Sequence, residues 1–440
     1  MKCLIIAAGQ GRRISSKGSS KPLIPLLGLS LIERVILTAK KSGLTEFYVV
    51  TGYNGDKVRE YLKKFSQSRN ISIVHITNEE WEKENGVSVL KAKGLINENF
   101  ILLMGDHIFE ESILKKLKNE KVNNDEVILA VDYKIKTNRL ADDNESTRVL
   151  VEDNKILDIG KDLEKYNAYD TGIFLCSPAI FDAIEESLKN DDSTLSGGIK
   201  VLASQGKARA YDIKDNWWID VDDERALKRA ENKILATLKK PTDGPISRYL
   251  NRPLSVRITK YLLKTEVTPN QISLFSFIVA IIASLFFFLG SYVYLFIGAI
   301  IAQVSSVIDG CDGEIARLKC QESEFGGWLD AVLDRYADAF LLFGLTYYAS
   351  FFKPNFFAFL IGFLAIIGTF MNSYTADKYD GFMRKKIGAG KHYFRMGRDV
   401  RMFIIFLGGL TNQVLLTLTI IALLMNGENI RRILVLSKDG

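Results

Sequence analysis

Four aspartates between residues 309 and 334 constrain this chain more than any other feature, because they stand at the ends of long apolar runs. An ionised carboxylate in such a place is costly, so an idle structural role is not expected of it. Asp309 and Asp312 lie three residues apart and Asp330 and Asp334 four apart, so on helices each pair shares one face. Two such faces brought together form an all-oxygen cage suited to hard divalent cations. Asp338, one turn beyond Asp334, either lines the same pocket or pairs with a buried arginine. The other reading of the group is an acidic helix pair lining an unrelated ion or proton path.

Six apolar stretches can be read in the second half, at about 271–290, 292–312, 326–350, 355–376, 399–410 and 413–426. The first four are long enough to span a bilayer. The fifth is short and flanked by Gly408 and Gly409, which sets Arg398 and Arg401 near the interface or inside a bundle. Residues 269–440 therefore read as an all-α polytopic membrane domain of six transmembrane helices. The chain begins with a strand-like run, Lys2 to Ala8, that lacks the pattern of a signal peptide. With the amino-terminal half kept on the synthesis side, the 313–325 loop, the basic 378–398 loop and Arg431-Arg432 all fall on the cytoplasmic face, in agreement with the positive-inside bias. A net charge of +6 is too small to argue for nucleic acid. The basic residues concentrate beside the apolar segments, which suits anionic membrane lipids. Cys3, Cys176, Cys311 and Cys320 are scattered without C-x-x-C spacing, so neither a disulfide framework nor a zinc site is indicated.

Residues 1–232 alternate strand-like and helix-like segments, as an α/β Rossmann-like domain does. Cys3 to Ala8 reads as a buried parallel strand that runs into a loop with Gly9 and Gly11, and a helix follows around Ser30 to Ser42. Glycines let successive backbone N–H groups close around a phosphate chain. Asn99 to Met104 ends in Gly105-Asp106, which sets Asp106 at the carboxyl end of a strand, where ligands of open α/β sheets sit. An aspartate there is also a common helix cap. No G-x-G-x-x-G opens a helix directly, which disfavours a dinucleotide site.

The succession A-A-G-x-G-x-R followed by Lys21-Pro22-Leu23 resembles the sugar-phosphate nucleotidyltransferase family. The resemblance implies a nucleotide held by Ala8, Gly9 and Gly11, with Lys21 and Arg13 catalytic; Arg12 stands where the family commonly has a small residue. It implies metal ligands at Asp106 and at Asp220 of Trp218-Ile219-Asp220-Val221-Asp222. Magnesium, or manganese in its place, would be held against the α-phosphate while a substrate phosphate attacks in line. Asn85-Gly86-Val87-Ser88 resembles the family's base-recognition turn, and Tyr169-Asp170-Thr171-Gly172 its acceptor-pocket loop; both segments also fit ordinary turns. The family's Glu-Lys pair at the acceptor phosphate is replaced by Gly160-Lys161, so the lysine alone is kept.

Lys239 to Pro245 has linker chemistry. Ile246 to Lys264 then alternates apolar residues with Arg248, Arg252, Arg257 and Lys260. Residues 233–268 thus read as a linker and a basic amphipathic helix on the membrane surface, or as a solvated interdomain helix. Beyond it, D-x-x-D-G-x-x-A-R-x(8)-G-x-x-x-D-x-x-x-D, complete from Asp309 to Asp334, resembles the CDP-alcohol phosphotransferases. The resemblance implies Asp309, Asp312 and Asp330 as metal ligands, with Asp334 as a further ligand or the base. It implies that Gly313, Ala316 and Gly326 make room for cytidine diphosphate and that Arg317 meets phosphate. Arg395, Arg398 and Arg401 either bind anionic lipid or hold a phosphate on the acceptor alcohol. A homodimer is also implied by the membrane family.

Taken together, the two halves resemble the bifunctional inositol-1-phosphate cytidylyltransferases and di-myo-inositol-phosphate-phosphate synthases of thermophiles. This implies CTP and inositol 1-phosphate giving CDP-inositol and pyrophosphate. CDP-inositol and a second inositol 1-phosphate then give phospho-di-inositol phosphate and CMP. Two other readings stand beside it: a CDP-alcohol phosphatidyltransferase that makes a phospholipid with a degenerate nucleotide-binding domain, and a CTP-binding sensor or carrier.

Overall fold

The computed structural model describes residues 1–438 except 12, 15–19, 124, 136–145, 240–242, 353–355 and 388–396. It divides into two compact units, Met1–Ile234 and Leu235–Gly440.

The first unit is built on a nine-stranded sheet. Its strands are β1 (Lys2–Ala7), β2 (Glu46–Thr51), β3 (Ser72–Thr77), β4 (Phe100–Met104), β5 (Val127–Asp132), β6 (Arg148–Glu152), β7 (Lys155–Gly160), β8 (Ala168–Cys176) and β9 (Ala208–Asp212). They lie in the order β3-β2-β1-β4-β8-β5-β9-β7-β6. From β3 to β4 the pairing is parallel, and β8 enters antiparallel to both its neighbours β4 and β5. Cys3 to Ala7 are buried throughout, as a central strand covered on both faces requires. The helix Leu31–Lys41 starts where Ser30 and Glu33 form a capping box, the Ser30 N–H donating to the Glu33 carboxylate at 2.7 Å.

Register decides where the chemistry lies. Ile6 stands opposite Met104 in the β1–β4 ladder, so Ala8-Gly9 and Gly105-Asp106 leave the sheet side by side at its carboxyl edge. A short antiparallel ribbon then pairs His107–Phe109 with Trp218–Asp220 and sets Asp220 opposite His107. On β8, Gly172 has φ 70°. A Cβ there would lie 2.3 Å from His107 Nδ1, so this approach needs glycine.

The second unit is helical: α1 (Arg252–Leu262), α2 (Pro269–Phe287), α3 (Tyr292–Leu318), α4 (Glu324–Phe351), α5 (Phe357–Ile387), α6 (Arg398–Leu410) and α7 (Val414–Lys438). A capping box of Thr268 and Gln271, with Pro269 in the first turn, starts α2. Among the described residues four segments are long and apolar enough to cross a membrane, Pro269–Phe287, Tyr292–Leu318, Phe357–Ala376 and Val414–Val435. The other two long apolar stretches differ: α4 carries Asp330, Asp334, Arg335 and Asp338, and α6 has 13 residues, about 20 Å of helix at the usual rise.

The last helix continues past residue 426, where the hydropathy pattern predicts its end. Its polar turn is satisfied internally: Arg431 donates to Glu428 at 2.7 Å, and Arg432 Nη1 donates to the Asn372 carbonyl of α5 at 2.7 Å. The Arg431-Arg432 pair therefore belongs to a helix, with Arg432 buried.

This unit has a buried apolar core, yet several charged groups also face inward and many large apolar side chains face outward. Glu314, Asp338 and Arg401 are buried while Phe275, Leu285, Phe363 and Leu423 are exposed, the pattern of a bundle whose surroundings are apolar. Small residues let the helices approach, since a Cβ on Gly409 would come within 2.3 Å of that of Ala299. Gly409→Leu is accordingly expected to wedge α6 from α3 and destabilise the bundle by about 1–3 kcal/mol. Thermal unfolding of the full-length protein in detergent checks this, and unchanged melting would contradict the packing described.

Candidate active sites

A cavity of about 260 Å³ opens at the carboxyl edge of the sheet. Of the residues singled out from sequence, Ala8, Gly9, Lys21, Asn85, Asp106, Lys161, Gly172 and Asp220 line it. Lys21 sits in a single turn, Lys21–Leu23, with its ammonium 2.5 Å from Asp106 Oδ2 and also bonded to Asp222 Oδ1. Burial disfavours the ammonium, but Asp106, Asp220 and Asp222 outweigh it and hold Lys21 well above the usual lysine range. It stays a cation, suited to phosphate oxygens rather than to proton abstraction. Gly11 lies against Lys21 instead of on the cavity wall: its φ is 63°, and a Cβ would stand 2.5 Å from that of Lys21. Arg13 Nη2 is 3.1 Å from Asp222 Oδ2, and Arg12 falls outside the described residues.

The turn expected to read the base is divided. Asn85 reaches the cavity and its Oδ1 accepts from the Leu195 N–H at 2.9 Å. Gly86 and Ser88 pack behind it. A Cβ on Gly86 would meet the Ser193 carbonyl at 2.6 Å, and the buried Ser88 hydroxyl accepts from Asn78 Nδ2 at 2.9 Å.

His107 and Asp222 complete the site, although sequence reasoning gave neither a role. The signals were present, because His107 directly follows Asp106 and Asp222 closes the W-x-D-x-D run. His107 Nδ1 donates to the Thr171 carbonyl at 2.8 Å. Its Nε2 faces Asp220 Oδ2 at 3.4 Å and Asp106 Oδ1 at 3.8 Å. Burial alone would lower the imidazole pKa, but Asp220 and then Asp106 override it and push it up to about 10. Ligand atoms of Asp106, His107 and Asp220 all lie within 4.8 Å of one another. Among the described residues Asp220 Oδ1 is buried with no hydrogen-bond partner. An orphaned carboxylate oxygen beside a second carboxylate fits a divalent cation.

In the second unit α3 and α4 bring Asp309, Asp330 and Asp334 together, with ligand atoms within 4.8 Å of one another. Asp312 is buried and accepts from the Ser273 hydroxyl and the Gly313 N–H. Asp309 Oδ1 accepts from the Ser276 hydroxyl at 3.2 Å. Both serines come from α2, a contribution that the motif spacing does not reveal. This all-oxygen set fits a hard divalent cation.

Arg398 reaches the same carboxylates from α6. Its Nη1 lies 2.9 Å from Asp309 Oδ2 and 2.5 Å from Asp334 Oδ1, and its Nε 3.2 Å from Asp338 Oδ1. Arg401 Nη2 lies 2.6 Å from Asp338 Oδ2, so of its two readings Asp338 takes that of a partner to buried arginines. Arg395 falls outside the described residues. A cavity of about 340 Å³ is lined by Asp309 and Asp334 together with Arg335, Arg398, Arg401 and Arg432. Gly313, Ala316 and Arg317 continue α3 past the carboxylates, and Gly326 opens α4 with its N–H on the Ser323 hydroxyl at 3.0 Å. Arg317 Nε and Nη2 are buried without a hydrogen-bond partner among the described residues, an arrangement that suits an anion.

Residues 3–195 match the MobA-like NTP transferase domain family, and residues 266–435 the CDP-alcohol phosphatidyltransferase family. The bifunctional IPC transferase and DIPP synthase of Rubrobacter xylanophilus is 34% identical over 99% of this chain and 96% of its own length. The chain belongs to this bifunctional family. A relative of the same name from Aquifex aeolicus is 33% identical over 99% of the chain and 98% of its own length. The solved inositol-1-phosphate CTP transferase of T. maritima aligns at 24% identity with a TM-score of 0.47, over 52% of this chain and 93% of that one. As in the bifunctional IPC transferases and DIPP synthases, a nucleotidyltransferase and a CDP-alcohol phosphotransferase share one chain.

Gly172→Ala and Gly206→Ala both place a side chain at positive φ, but nothing lies within 4 Å of a Cβ on Gly206. Gly206→Ala is expected to cost about 1–2 kcal/mol of stability, and Gly172→Ala more, because its methyl also meets His107. Gly172→Ala should in addition slow nucleotidyl transfer by about a hundredfold, because its methyl displaces His107. Pyrophosphate release measures this, and equal rates in the two variants would remove His107 from the site.

Proposed function

We propose that the first unit joins CTP and inositol 1-phosphate into CDP-inositol, releasing pyrophosphate. The second unit then transfers the phosphoinositol group of CDP-inositol to a hydroxyl of another inositol 1-phosphate, releasing CMP. The observation that carries this is the presence of two acidic clusters, each with a basic side chain drawn onto it, on a chain similar over nearly its whole length to bifunctional relatives.

At the first site Ala8 and Gly9 offer backbone to the triphosphate, Gly11 makes room for Lys21 beside them, and Asn85, with Gly86 and Ser88 behind it, meets the base. Lys21 and Arg13 neutralise phosphate charge, and Lys161 and Gly172 border the acceptor. Asp106 and Asp220 would hold Mg²⁺, or Mn²⁺, which when bound offsets the charge growing on the α-phosphate. A phosphate oxygen of inositol 1-phosphate attacks the α-phosphorus in line and pyrophosphate leaves.

At the second site Asp309, Asp312 and Asp330 would hold the cation. Gly313, Ala316 and Gly326 leave room for the cytidine diphosphate, and Arg317 takes its phosphates. Asp334 accepts the proton of the acceptor hydroxyl as that oxygen attacks the phosphorus carrying the inositol, and CMP leaves. Arg398 exchanges its carboxylates for the acceptor's phosphate, with Arg401 beside it. Asn251, Ser306, Asn372 and Ser373 on the cavity wall support a hydroxyl-rich acceptor over an acyl chain. The assembled Lys21, Asp106 and Asp220 group supports an active first unit, against the phospholipid reading. In this proposal α2 to α7 form a multi-pass membrane bundle of six helices with both sites on the cytoplasmic side, in contact with anionic lipids and paired as a homodimer.

Full-length protein in detergent, given CTP, Mg²⁺ and inositol 1-phosphate, is expected to yield CDP-inositol and then the di-inositol product by mass spectrometry. Product that forms only when a lipid donor is supplied would overturn the proposal. Asp334→Asn should accumulate CDP-inositol, with the second step slowed about 10²- to 10⁴-fold. Chelation of divalent cations should stop both steps, read as loss of pyrophosphate and of CMP.

A further inference from the structure

Glu314 occupies a variable position of the aspartate motif, yet it is fully buried. Five residues after Asp309, it lies about 140° around α3 from that residue, away from the carboxylate cluster. Its carboxylate accepts from Ser255 Oγ at 2.5 Å, Thr259 Oγ1 at 2.7 Å and Arg252 Nη1 at 2.8 Å. Arg252 in turn spans to Asp243, with Nε–Oδ2 and Nη2–Oδ1 both 3.1 Å, and to the Gly310 carbonyl at 3.3 Å. A buried carboxylate and a buried guanidinium satisfied this fully lock two segments in one register.

The other flank of the same segment is fastened to α6. Asp399, next to Arg398, accepts the Ser247 N–H at 2.9 Å. A Cβ on Gly244 would stand 2.3 Å from Asp399 Oδ2, so the backbone lies directly on that carboxylate. Between these two fastenings Gly244, Ser247 and Asn251 line the 340 Å³ cavity along with Asp309 and Asp334. Asn251 is itself held by Ser306 and Gln303, at 3.2 and 2.9 Å.

We infer that residues 243–255 are a wall of the phosphotransfer cavity, and that Asp399 is a positioning residue that sets acceptor binding by fixing this wall against the helix of Arg398. The inference rests on the proposed function, in which the acceptor is inositol 1-phosphate. An acceptor that must present both a hydroxyl to Asp334 and a phosphate to Arg398 needs the opposite side of the cavity at a set distance. Gly313, Ala316, Arg317 and Gly326, assigned to the nucleotide, are not among the described residues that line this cavity, so losing the Asp399 fastening should fall on the acceptor more than on the donor.

The experiment uses the full-length protein in detergent with supplied CDP-inositol and inositol 1-phosphate. Asp399→Ala is expected to raise the KM for inositol 1-phosphate about tenfold while kcat and the KM for CDP-inositol change less than about twofold, the pattern of lost acceptor binding. Asp399→Asn, whose amide oxygen can still accept the Ser247 N–H, should restore it. Gly244→Ala reaches the same contact from the other side and should show the same split. Thermal unfolding in detergent, together with retained kcat on supplied CDP-inositol, reports that the helical unit of each variant is folded. Unchanged acceptor KM in both disruptive variants, or a parallel loss in kcat and both KM values, would overturn the inference. If wild-type protein makes no di-inositol product from these substrates, it is the proposed function that fails.

Discussion

Negative charge gathered inside an apolar helix bundle has to be balanced there, and the second unit is arranged around that demand. Asp309, Asp334 and Asp338 come from two helices and are met by Arg398 and Arg401 from a third. Removing one partner of a buried ion pair typically costs about 3–5 kcal/mol, because the other charge is left without compensation. The relative placement of α3, α4 and α6 is therefore set by charge as firmly as by the close contacts of Gly409 and Ala299. Asp312 and Asp330 form no ion pair with these two arginines among the described residues, which leaves the cluster suited to an additional cation.

The first unit solves a related problem at a water-accessible edge. Here strand register, not helix periodicity, assembles the group: Ala8 and Asp106 leave adjacent parallel strands, and the ribbon brings Asp220 to His107. In both units a basic side chain lies on the acidic residues, Lys21 on Asp106 and Asp222, Arg398 on Asp309 and Asp334. Each cation is thus held at its site by carboxylates before any phosphate arrives.

Much of this was legible in the residues because it depends on short spacing. The i, i+3 and i, i+4 aspartates had to share helix faces, and the apolar run from Cys3 had to be a buried strand. What escaped depends on partners distant in sequence. Nothing local distinguishes Glu314 as a charge buried opposite the cluster, because its partners Arg252, Ser255 and Thr259 lie in a segment whose composition reads as a linker and surface helix. Ser88 has the look of a turn residue open to a ligand, and its bond to Asn78 is invisible without the fold. The end of α7 was misjudged for the same reason: Glu428 and Arg432 are polar in sequence and satisfied in space.

The ribbon that joins Trp218–Asp220 to His107–Phe109 also sets an order of events in synthesis. Domains fold as their residues emerge from the ribosome, amino-terminal parts first. β1 to β4 can pair early, but the carboxylate pair stays open until the last strand of the first unit has been made. By then the next residues to be translated are those that lead into the helical unit. A product truncated before Trp218 would therefore carry all nine strands of the sheet without Asp220 beside Asp106.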